Sequence, residues 1–466
     1  MPALRRYSRR TPEKSALYKI VYNFHEKLGQ DWEAKFQHDF GLHRKIVKDT
    51  FKSYLNCGIL SFGAARAYCS DCKHSELIAF SCKCRGVCPS CGAKRAVIFA
   101  QVLESEVLAP VPLRHIVWTL PKRIRVYFKY DRKLHDLIFE SAWKTLVHFY
   151  GKLGTPGAVM SLQTSGEALN HQPHIHSIVA DGYFDPSGNF QQITTPDTTA
   201  MERSFAFTLL TKLEGKGLLE SDTVSSILEQ QHTGFGVWAG EVVAPEDQSR
   251  RLFQARYIDR CPLSLENIKI LQSGQIKYLH DSPVLGRDPM DPLLFLAKLS
   301  VHIPNKWEQI VRYYGWFSAR TRGKRRKIEA QKLARQSDPT LRITFTQLEL
   351  EPRRKPSGAW ADCIKRIYEI NPLLCPKCNS EMKIIAFIQD PNTIRNIMLS
   401  QNIPIQLMPP PITSPPHLEQ TEIWTDIDFA QAEPTQIIQL ETSENNSSEK
   451  LPAIITADEL LEKSKS

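Results

Sequence analysis

Residues 173–179 read Pro-His-Ile-His-Ser-Ile-Val, and this stretch decides the fold that we expect. The proline at its start and the apolar residues that follow predict a β-strand. Side chains alternate between the two faces of a strand, so His174 and His176 share one face and Ile175 lies on the other. Two imidazoles spaced about 7 Å apart along a strand can bind one cation. Two unrelated histidines are the alternative, and the rest of the chain has to decide between them.

The segments on both sides of this strand predict a mixed α/β domain. Apolar periodicity indicates strands at 113–120 and 158–163 and helices at 131–150, 199–231 and 246–258. We therefore expect an α/β (α+β) fold. Its small antiparallel sheet would have the histidine strand at its centre and helices on one face.

The cysteines indicate a metal module ahead of this domain. The chain has 11 cysteines, and seven of them lie between Cys57 and Cys91. Clustered thiols in a reducing compartment more often hold metal than form disulfides. Cys69, Cys72, Cys88 and Cys91 form a C-x2-C-x15-C-x2-C array, which suits one tetrahedral, structural zinc ion. Cys82 and Cys84 are alternative ligands in the same loop.

The remaining cysteines carry weaker signals. Cys375 and Cys378 form another C-x2-C pair, but no further pair follows them, so we do not expect a complete zinc site there. Cys57, Cys261 and Cys363 have the character of ordinary buried thiols.

Charge divides the chain into a basic body and an acidic end. Residues 417–466 contain 11 acidic and 3 basic residues, which leaves 57 Lys and Arg against 39 Asp and Glu in residues 1–416. Such a body suggests nucleic acid as a partner, although a merely alkaline protein is the alternative. No apolar run is long enough to span a membrane, and the basic start leads into no apolar signal region. We therefore expect a cytoplasmic protein without a membrane partner.

Composition and periodicity together predict six segments. They are an N-terminal helical region (1–56), a zinc-binding module (57–105), the mixed α/β domain (106–310), a basic segment (311–357), a small C-x2-C module (358–403) and a disordered acidic tail (404–466).

The order of these motifs resembles the HUH endonucleases, and within them the rolling-circle transposases of the IS91 and common-region insertion-sequence type. The resemblance covers about residues 40–400. It rests on segments in register at Ser81–Gly92, Thr119–Arg125, Ala168–Gly182, Arg256–Arg260, Arg312–Gly315 and Cys375–Cys378.

The resemblance implies a nucleophile and a catalytic metal. Tyr257, near the end of a predicted helix, would attack a DNA phosphodiester and form a 5′-phosphotyrosine with a free 3′-hydroxyl. A divalent cation on His174 and His176 would stabilise the charge on the phosphate. Some relatives have a second tyrosine one helical turn earlier, but this chain has Phe253 there and fits a single-tyrosine variant.

A metal site on two histidines needs a third ligand. Gln163 ends the preceding strand, and a hairpin would place it beside His174. Glu167, in the turn itself, is the alternative. We expect Mg²⁺ or Mn²⁺, although histidine ligands would equally suit a transition metal.

A basic stretch at residues 312–327 interleaves aromatic residues with arginines and lysines. Such a pattern can stack bases and follow a phosphate backbone, although a solvated face is the alternative. The predicted DNA-binding residues are Arg256, Arg320, Arg322, Lys324, Arg325, Arg326 and Lys327.

These features predict a DNA transposase that nicks and rejoins single-stranded DNA at insertion-sequence ends and at a target site. Zinc would be structural, and Mg²⁺ or Mn²⁺ catalytic. A plasmid rolling-circle replication initiator or relaxase would use the same chemistry. A zinc-containing DNA-binding regulator, which would bind without nicking, is the alternative from another class.

Overall fold

A computed structural model describes residues 11–151, 153–193, 197–230, 232–279, 288–337 and 373–401, without the side chains of Glu167 and of residues 332–337. The chain divides into two compact units. The first unit contains the described parts of residues 1–95, 263–303 and 350–448, and the second contains those of 96–262 and 304–349. The predictions for Cys363, for residues 338–372 and for the tail 404–466 lie outside the described residues.

The secondary structure follows the chain in this order. The α-helices are α1 (Ala16–Lys35), α2 (Gln37–Phe40), α3 (Lys45–Leu55), α4 (Pro89–Val102), α5 (Lys122–Tyr130), α6 (His135–Tyr150), α7 (Thr198–Glu214), α8 (Ser221–Leu228), α9 (Gln248–Tyr257), α10 (Pro292–Val301), α11 (Ala319–Ser337) and α12 (Pro391–Ser400). The strands are β1 (Ala64–Cys69), β2 (Ser75–Ala79), β3 (Leu113–Thr119), β4 (Thr155–Ser165), β5 (His171–Phe184), β6 (Phe190–Gln192), β7 (Gly236–Val243), β8 (Ile268–Ile270), β9 (Ile276–Tyr278), β10 (Val311–Gly315) and β11 (Met382–Ile388). None of the helices in these residues combines the length and the apolar character needed to cross a membrane.

The second unit is built on an antiparallel sheet with the strand order β10-β4-β5-β3-β7, and β6 pairs with the end of β5. The mixed α/β class and the small antiparallel sheet are confirmed, and the histidine strand β5 is central, as predicted. Strands β3, β4 and β5 lie at the predicted positions, and β4 and β5 extend beyond the predicted limits.

Helices cover both faces of this sheet, so the prediction of helices on one face was wrong. On one face, Trp118 and Ile175 belong to a core built with helices α5 to α8. On the other face, Val159 and Ile178 pack with Ala255 of α9. The physical reason is that β5 presents apolar side chains on both of its faces, and both must be removed from water.

A buried ion pair links the central strands. The Arg114 guanidinium on β3 donates to both carboxylate oxygens of Asp181 on β5, at 2.6 and 3.2 Å, and to the carbonyl of Gly240 on β7. Both side chains are buried. Breaking such a pair by removing one partner costs about 3–5 kcal/mol, because it leaves an uncompensated buried charge. The pair therefore helps to hold β3 against the histidine strand.

The first unit combines helices with a small sheet. Leu17, Ile20 and Val21 form a buried face of α1, which packs against α3 and α10. The predicted helical N-terminal region is helical from Ala16, although residues 1–10 lie outside the described part. The sheet has the strand order β11-β1-β2. It therefore joins strands that are more than 300 residues apart in the chain.

Candidate functional site

The predicted histidine pair lies on the sheet face that also packs against α9. His174 and His176 are two residues apart on β5, and their ring centroids are 4.9 Å apart. Gln163 on β4 is directly opposite His174, so the hairpin brings it alongside that histidine as the sequence predicted. Glu167 is the alternative third ligand that the sequence left open, and its side chain lies outside the described part of the structure.

A third histidine, which sequence reasoning missed, completes this cluster. His115 lies on β3, and its Nε2 is 3.0 Å from Nδ1 of His176. The two rings stack with centroids 5.1 Å apart. His115 shares the face of His176 because Val117, two residues further along β3, is the direct partner of His176. The only sequence signal was a histidine inside a predicted strand.

The environment keeps these imidazoles in their neutral form. Burial, together with the positive charge of Arg260, lowers the pKa of His115 and that of His174 to about 4 each. Burial lowers the pKa of His176 well below its ordinary value. Nδ1 of His174 donates to the Gln172 carbonyl at 2.7 Å, because a carbonyl can only accept. This bond leaves Nε2 of His174 with the lone pair that a metal ion needs.

Tyr257, the predicted nucleophile, lies against this histidine cluster. It is the last residue of α9, and its half-buried ring stands edge-on to His176 and His115, with centroids 5.2 and 5.8 Å away. The amide nitrogen of Gln163 donates to the Tyr257 backbone carbonyl at 3.3 Å. Residues predicted separately as nucleophile, metal ligands and third ligand are therefore neighbours in the fold.

Two further side chains contact the Tyr257 ring. The exposed Arg260 places its guanidinium carbon 4.2 Å from the ring centroid, which is a cation–π contact. Phe253, one helical turn earlier, stacks on the same ring with centroids 6.3 Å apart. Arg256, a predicted DNA-binding residue, is half-buried, and its Nε has no hydrogen-bond partner among the described residues. The tyrosine is thus bordered by positive charge.

The basic helix α11 has two different faces. Arg322 and Arg325 turn inward: they donate to the carbonyls of Phe317 and Trp316, at 3.1 and 3.0 Å. Arg326 lies 3.8 Å from the Glu106 carboxylate. The other three predicted DNA-binding residues of this helix are exposed and make no hydrogen bond or ion pair with a described residue. They are Arg320, Lys324 and Lys327, spaced four and three residues apart on one helical face.

The aromatic residues of the basic stretch pack within the fold. Tyr314 stacks on Trp143 with centroids 5.0 Å apart, Trp316 stacks on Phe184 at 4.3 Å, and Phe317 is buried. These rings are therefore used for packing, and the exposed face of α11 offers charge rather than stacking surfaces.

The cysteine ligands are arranged differently from the prediction. The sulfurs form two clusters, each with all four atoms within 4.8 Å of one another. Cluster 1 is Cys57, Cys82, Cys88 and Cys91, and cluster 2 is Cys69, Cys72, Cys375 and Cys378. The single set of Cys69, Cys72, Cys88 and Cys91 was therefore wrong, as was the assignment of Cys57 as an ordinary thiol. The expectation that Cys375 and Cys378 lack further ligands was also wrong.

The split has a physical cause. Each C-x2-C pair forms its turn locally, but tertiary structure decides which other cysteines complete the set. Cys69 ends β1 and pairs with Met382 of β11, which brings the second C-x2-C turn to it. Cys88 and Cys91, just before and within the first turn of α4, lie instead against Cys57, two residues after α3, with sulfur distances of 3.9 and 3.7 Å.

Both clusters fit a zinc ion. Four sulfurs around one tetrahedral zinc, with bonds of about 2.3 Å, are about 3.8 Å apart. Three sulfur pairs of cluster 1 are 3.6 to 3.9 Å apart and two pairs of cluster 2 are 3.3 and 3.5 Å apart, and all four sulfurs of each cluster lie within 4.8 Å of one another. The backbone N–H of Cys82 points at the Cys57 sulfur and that of Cys84 at the Cys82 sulfur, each at 3.4 Å. Such donors stabilise thiolate charge.

Comparisons with known proteins find transposase family models and transposase relatives. A family model described as "Transposase zinc-binding domain" matches residues 27–120, and one described as "Putative transposase" matches residues 157–325. The transposase for insertion sequence element IS801 of Pseudomonas savastanoi pv. phaseolicola is 26% identical over 369 residues, which are 74% of this chain and 85% of that protein. "Putative transposase y4qJ" of Sinorhizobium fredii is 28% identical over 137 residues, 28% of this chain and 34% of that protein. No solved structure matches the chain.

Proposed function

Since the chain belongs to the IS91 family of transposases, we propose that it nicks and rejoins single-stranded DNA at element ends and at target sites through Tyr257. The observation that carries this proposal is the position of the Tyr257 ring beside His115 and His176, with Gln163 bonded to the backbone of the same tyrosine. A nucleophile beside a set of nitrogen ligands on one sheet face can support metal-assisted phosphodiester transfer through tyrosine.

We propose that His115, His174 and His176 hold the catalytic cation, Mg²⁺ or Mn²⁺. Two adjacent ligands of an octahedral ion with bonds of about 2.1 Å are about 3.0 Å apart, and the close nitrogen pair of His115 and His176 has this spacing. The amide oxygen of Gln163 is an additional ligand for the cation, while its amide nitrogen donates to the Tyr257 carbonyl and so positions the end of α9. When bound, the cation would polarise the scissile phosphate and stabilise its charge.

The transfer step exchanges one phosphate ester for another. The Tyr257 oxygen attacks phosphorus and its phenolic proton is lost. The bond from phosphorus to the 3′-oxygen breaks, and that oxygen takes up a proton to leave as a free 3′-hydroxyl. The product is a 5′-phosphotyrosine, so the reverse attack by a 3′-hydroxyl can rejoin the strand without ATP. Because Phe253 occupies the position one turn earlier, a chain holds one such link at a time.

Arg260 supports this chemistry through its position. Its guanidinium lies over the Tyr257 ring, and its exposed side chain can bind the phosphate backbone beside the nucleophile. Arg260 is thus a positioning residue beside the nucleophile.

We propose that single-stranded DNA binds to the exposed face of α11. Replacing Arg320, Lys324 and Lys327 together by glutamine should weaken binding about tenfold or more at moderate salt, because each side chain that neutralises a phosphate releases counterions. The slope of log affinity against log salt should fall by about 2, since each neutralised phosphate of a single strand contributes roughly 0.7 to that slope. Fluorescence anisotropy with a labelled oligonucleotide at several salt concentrations measures both quantities.

The matched control removes the same three charges elsewhere in the second unit. Its substitutions, all to glutamine, are at the lysines Lys133, Lys144 and Lys216, which lie away from α11 in the chain. This control should keep most of the affinity and the salt slope. Equal weakening by both variants would show that net charge, rather than the α11 face, attracts the DNA.

The proposed reaction has a direct test. The full chain is incubated with Mn²⁺ and single-stranded DNA from the two ends of the element that encodes it. With a 3′ label, the label should move to the protein as a covalent adduct, because the downstream fragment carries the 5′-phosphate. With a 5′ label, a fragment with a free 3′-hydroxyl should appear. Binding without either product would favour the non-catalytic regulator.

A further inference from the structure

Cluster 2 joins an early and a late segment of the first unit. Cys69 is the last residue of β1 and Cys72 follows this strand, whereas Cys375 and Cys378 precede β11. The sulfurs of Cys72 and Cys375 are 3.3 Å apart although the two residues are 303 positions apart in the chain. Cys69 and Cys375 are buried, and Cys378 is exposed. The cluster therefore lies at the edge of the unit, between an early and a late segment.

The two C-x2-C turns of cluster 2 have the same backbone conformation and the same backbone hydrogen bond. In the first turn, the N–H of Cys69 donates to the carbonyl of His74, five residues later, at 2.8 Å. In the second turn, the N–H of Cys375 donates to the carbonyl of Ser380, also five residues later, at 2.9 Å. The residue after each second cysteine, Lys73 and Asn379, has a positive φ, of 62° and 60°. Two equal turns that face each other form the ligand arrangement of a zinc ribbon.

A second small core of Leu60, Ala64, Leu77, Ile394 and Met398 also packs the late segment against the early one, and the packing around cluster 2 itself is small. Its core consists of two cysteines, two alanines and a few larger side chains: Ala65, Ala67, Cys69, Ile78, Leu373, Cys375 and Met382. The strand pairing of β1 with β11 adds backbone hydrogen bonds, from Ala64 opposite Ile388 to Cys69 opposite Met382. Segments of this size usually need a metal or a covalent link to be stable.

We propose that Cys69, Cys72, Cys375 and Cys378 bind a second structural zinc ion, distinct from the ion of cluster 1, which fastens residues 373–401 to strand β1. The four-sulfur set leaves no open coordination position, so the ion is structural rather than catalytic. The N-terminal zinc module is in this way completed by residues near the other end of the described chain.

Zinc content tests this proposal on the full-length protein, purified with a reductant. Mass spectrometry of the metal should find about two zinc ions per chain. The variant Cys378→Ser, which changes an exposed residue, should keep about one, as should Cys88→Ser in cluster 1, and the double variant should keep almost none. Cys261→Ser, outside both clusters, should keep two. One zinc ion in the wild-type chain, or two in Cys378→Ser, would overturn the proposal.

A second measurement distinguishes a zinc ion from two disulfides and does not depend on the stability of any variant. Thiol titration of the unfolded wild-type chain after zinc removal should find all 11 cysteines reactive. Seven reactive thiols together with one zinc ion would mean that cluster 2 is disulfide-bonded. Limited proteolysis should cut residues 373–401 faster in Cys378→Ser than in Cys261→Ser, and equal rates would show that the metal does not fasten the segment.

Discussion

Tyr257→Phe should abolish DNA cleavage and the covalent adduct together. The substitution removes the oxygen that would attack phosphorus, and loss of a catalytic nucleophile lowers rates by at least about 10³-fold. The ring contacts with His115, His176 and Arg260 do not need the hydroxyl, which makes no hydrogen bond with a described residue. Folding and DNA affinity should therefore stay near the wild-type values. The 3′-label transfer assay, thermal unfolding and anisotropy measure the three properties.

Two companion variants make this result specific. Tyr183→Phe, at the far end of the same histidine strand, removes an equivalent oxygen and should leave cleavage unchanged. Phe253→Tyr adds a hydroxyl about 6 Å earlier along α9. It should be dispensable, and it should rescue Tyr257→Phe only weakly. An adduct that persists on Tyr257→Phe and maps to another residue would mean that Tyr257 is not the nucleophile.

His115→Ala should lower metal-dependent nicking about as strongly as His176→Ala, by about 10²-fold or more, because each removes one nitrogen ligand of the proposed cation. The double variant His174→Ala with His176→Ala should have no detectable nicking. The nicking rate as a function of Mn²⁺ concentration separates weaker metal binding from slower chemistry. Calorimetric titration with Mn²⁺ in the absence of DNA gives the affinity independently of activity.

The matched control for these variants is His148→Ala, which changes an exposed histidine on α6. It should nick and bind Mn²⁺ like the wild-type protein. Thermal unfolding of each variant shows whether the fold is retained. If His115→Ala retained both the wild-type nicking rate and the wild-type Mn²⁺ affinity, His115 would be a packing residue. The ligands of the cation would then be His174, His176 and Gln163.

Local sequence patterns determined a large part of the site. The alternation of side chains along β5 places His174 and His176 on one face whatever the rest of the fold does. The short connection from Ser165 to His171 folds β4 and β5 into a hairpin, which makes Gln163 a neighbour of His174 although the pairing is irregular between Gln163 and Ser165. The helix that ends at Tyr257 follows from its apolar spacing and from Asp247, which accepts from the backbone N–H of Arg250 and caps the helix. Each of these features depends on residues close together in the chain.

Tertiary structure alone decided the remaining ligands and the faces of the basic helix. His115 contacts His176 because β3 pairs with β5 in one particular register. The residues near His115 in the sequence do not determine that register. Which arginines of α11 turn inward depends on where Trp316 and Phe317 pack.

The cysteines show most clearly which features follow from local sequence and which depend on tertiary structure. The sequence by itself determined that each C-x2-C pair forms a turn able to offer two sulfurs to one metal ion, because that geometry needs only four consecutive residues. It could not determine which cysteines complete each set, since any two pairs satisfy a tetrahedral ion equally well. The choice of Cys375 and Cys378 as partners of Cys69 and Cys72 is made by the pairing of β1 with β11, and that pairing buries a core shared by distant parts of the chain.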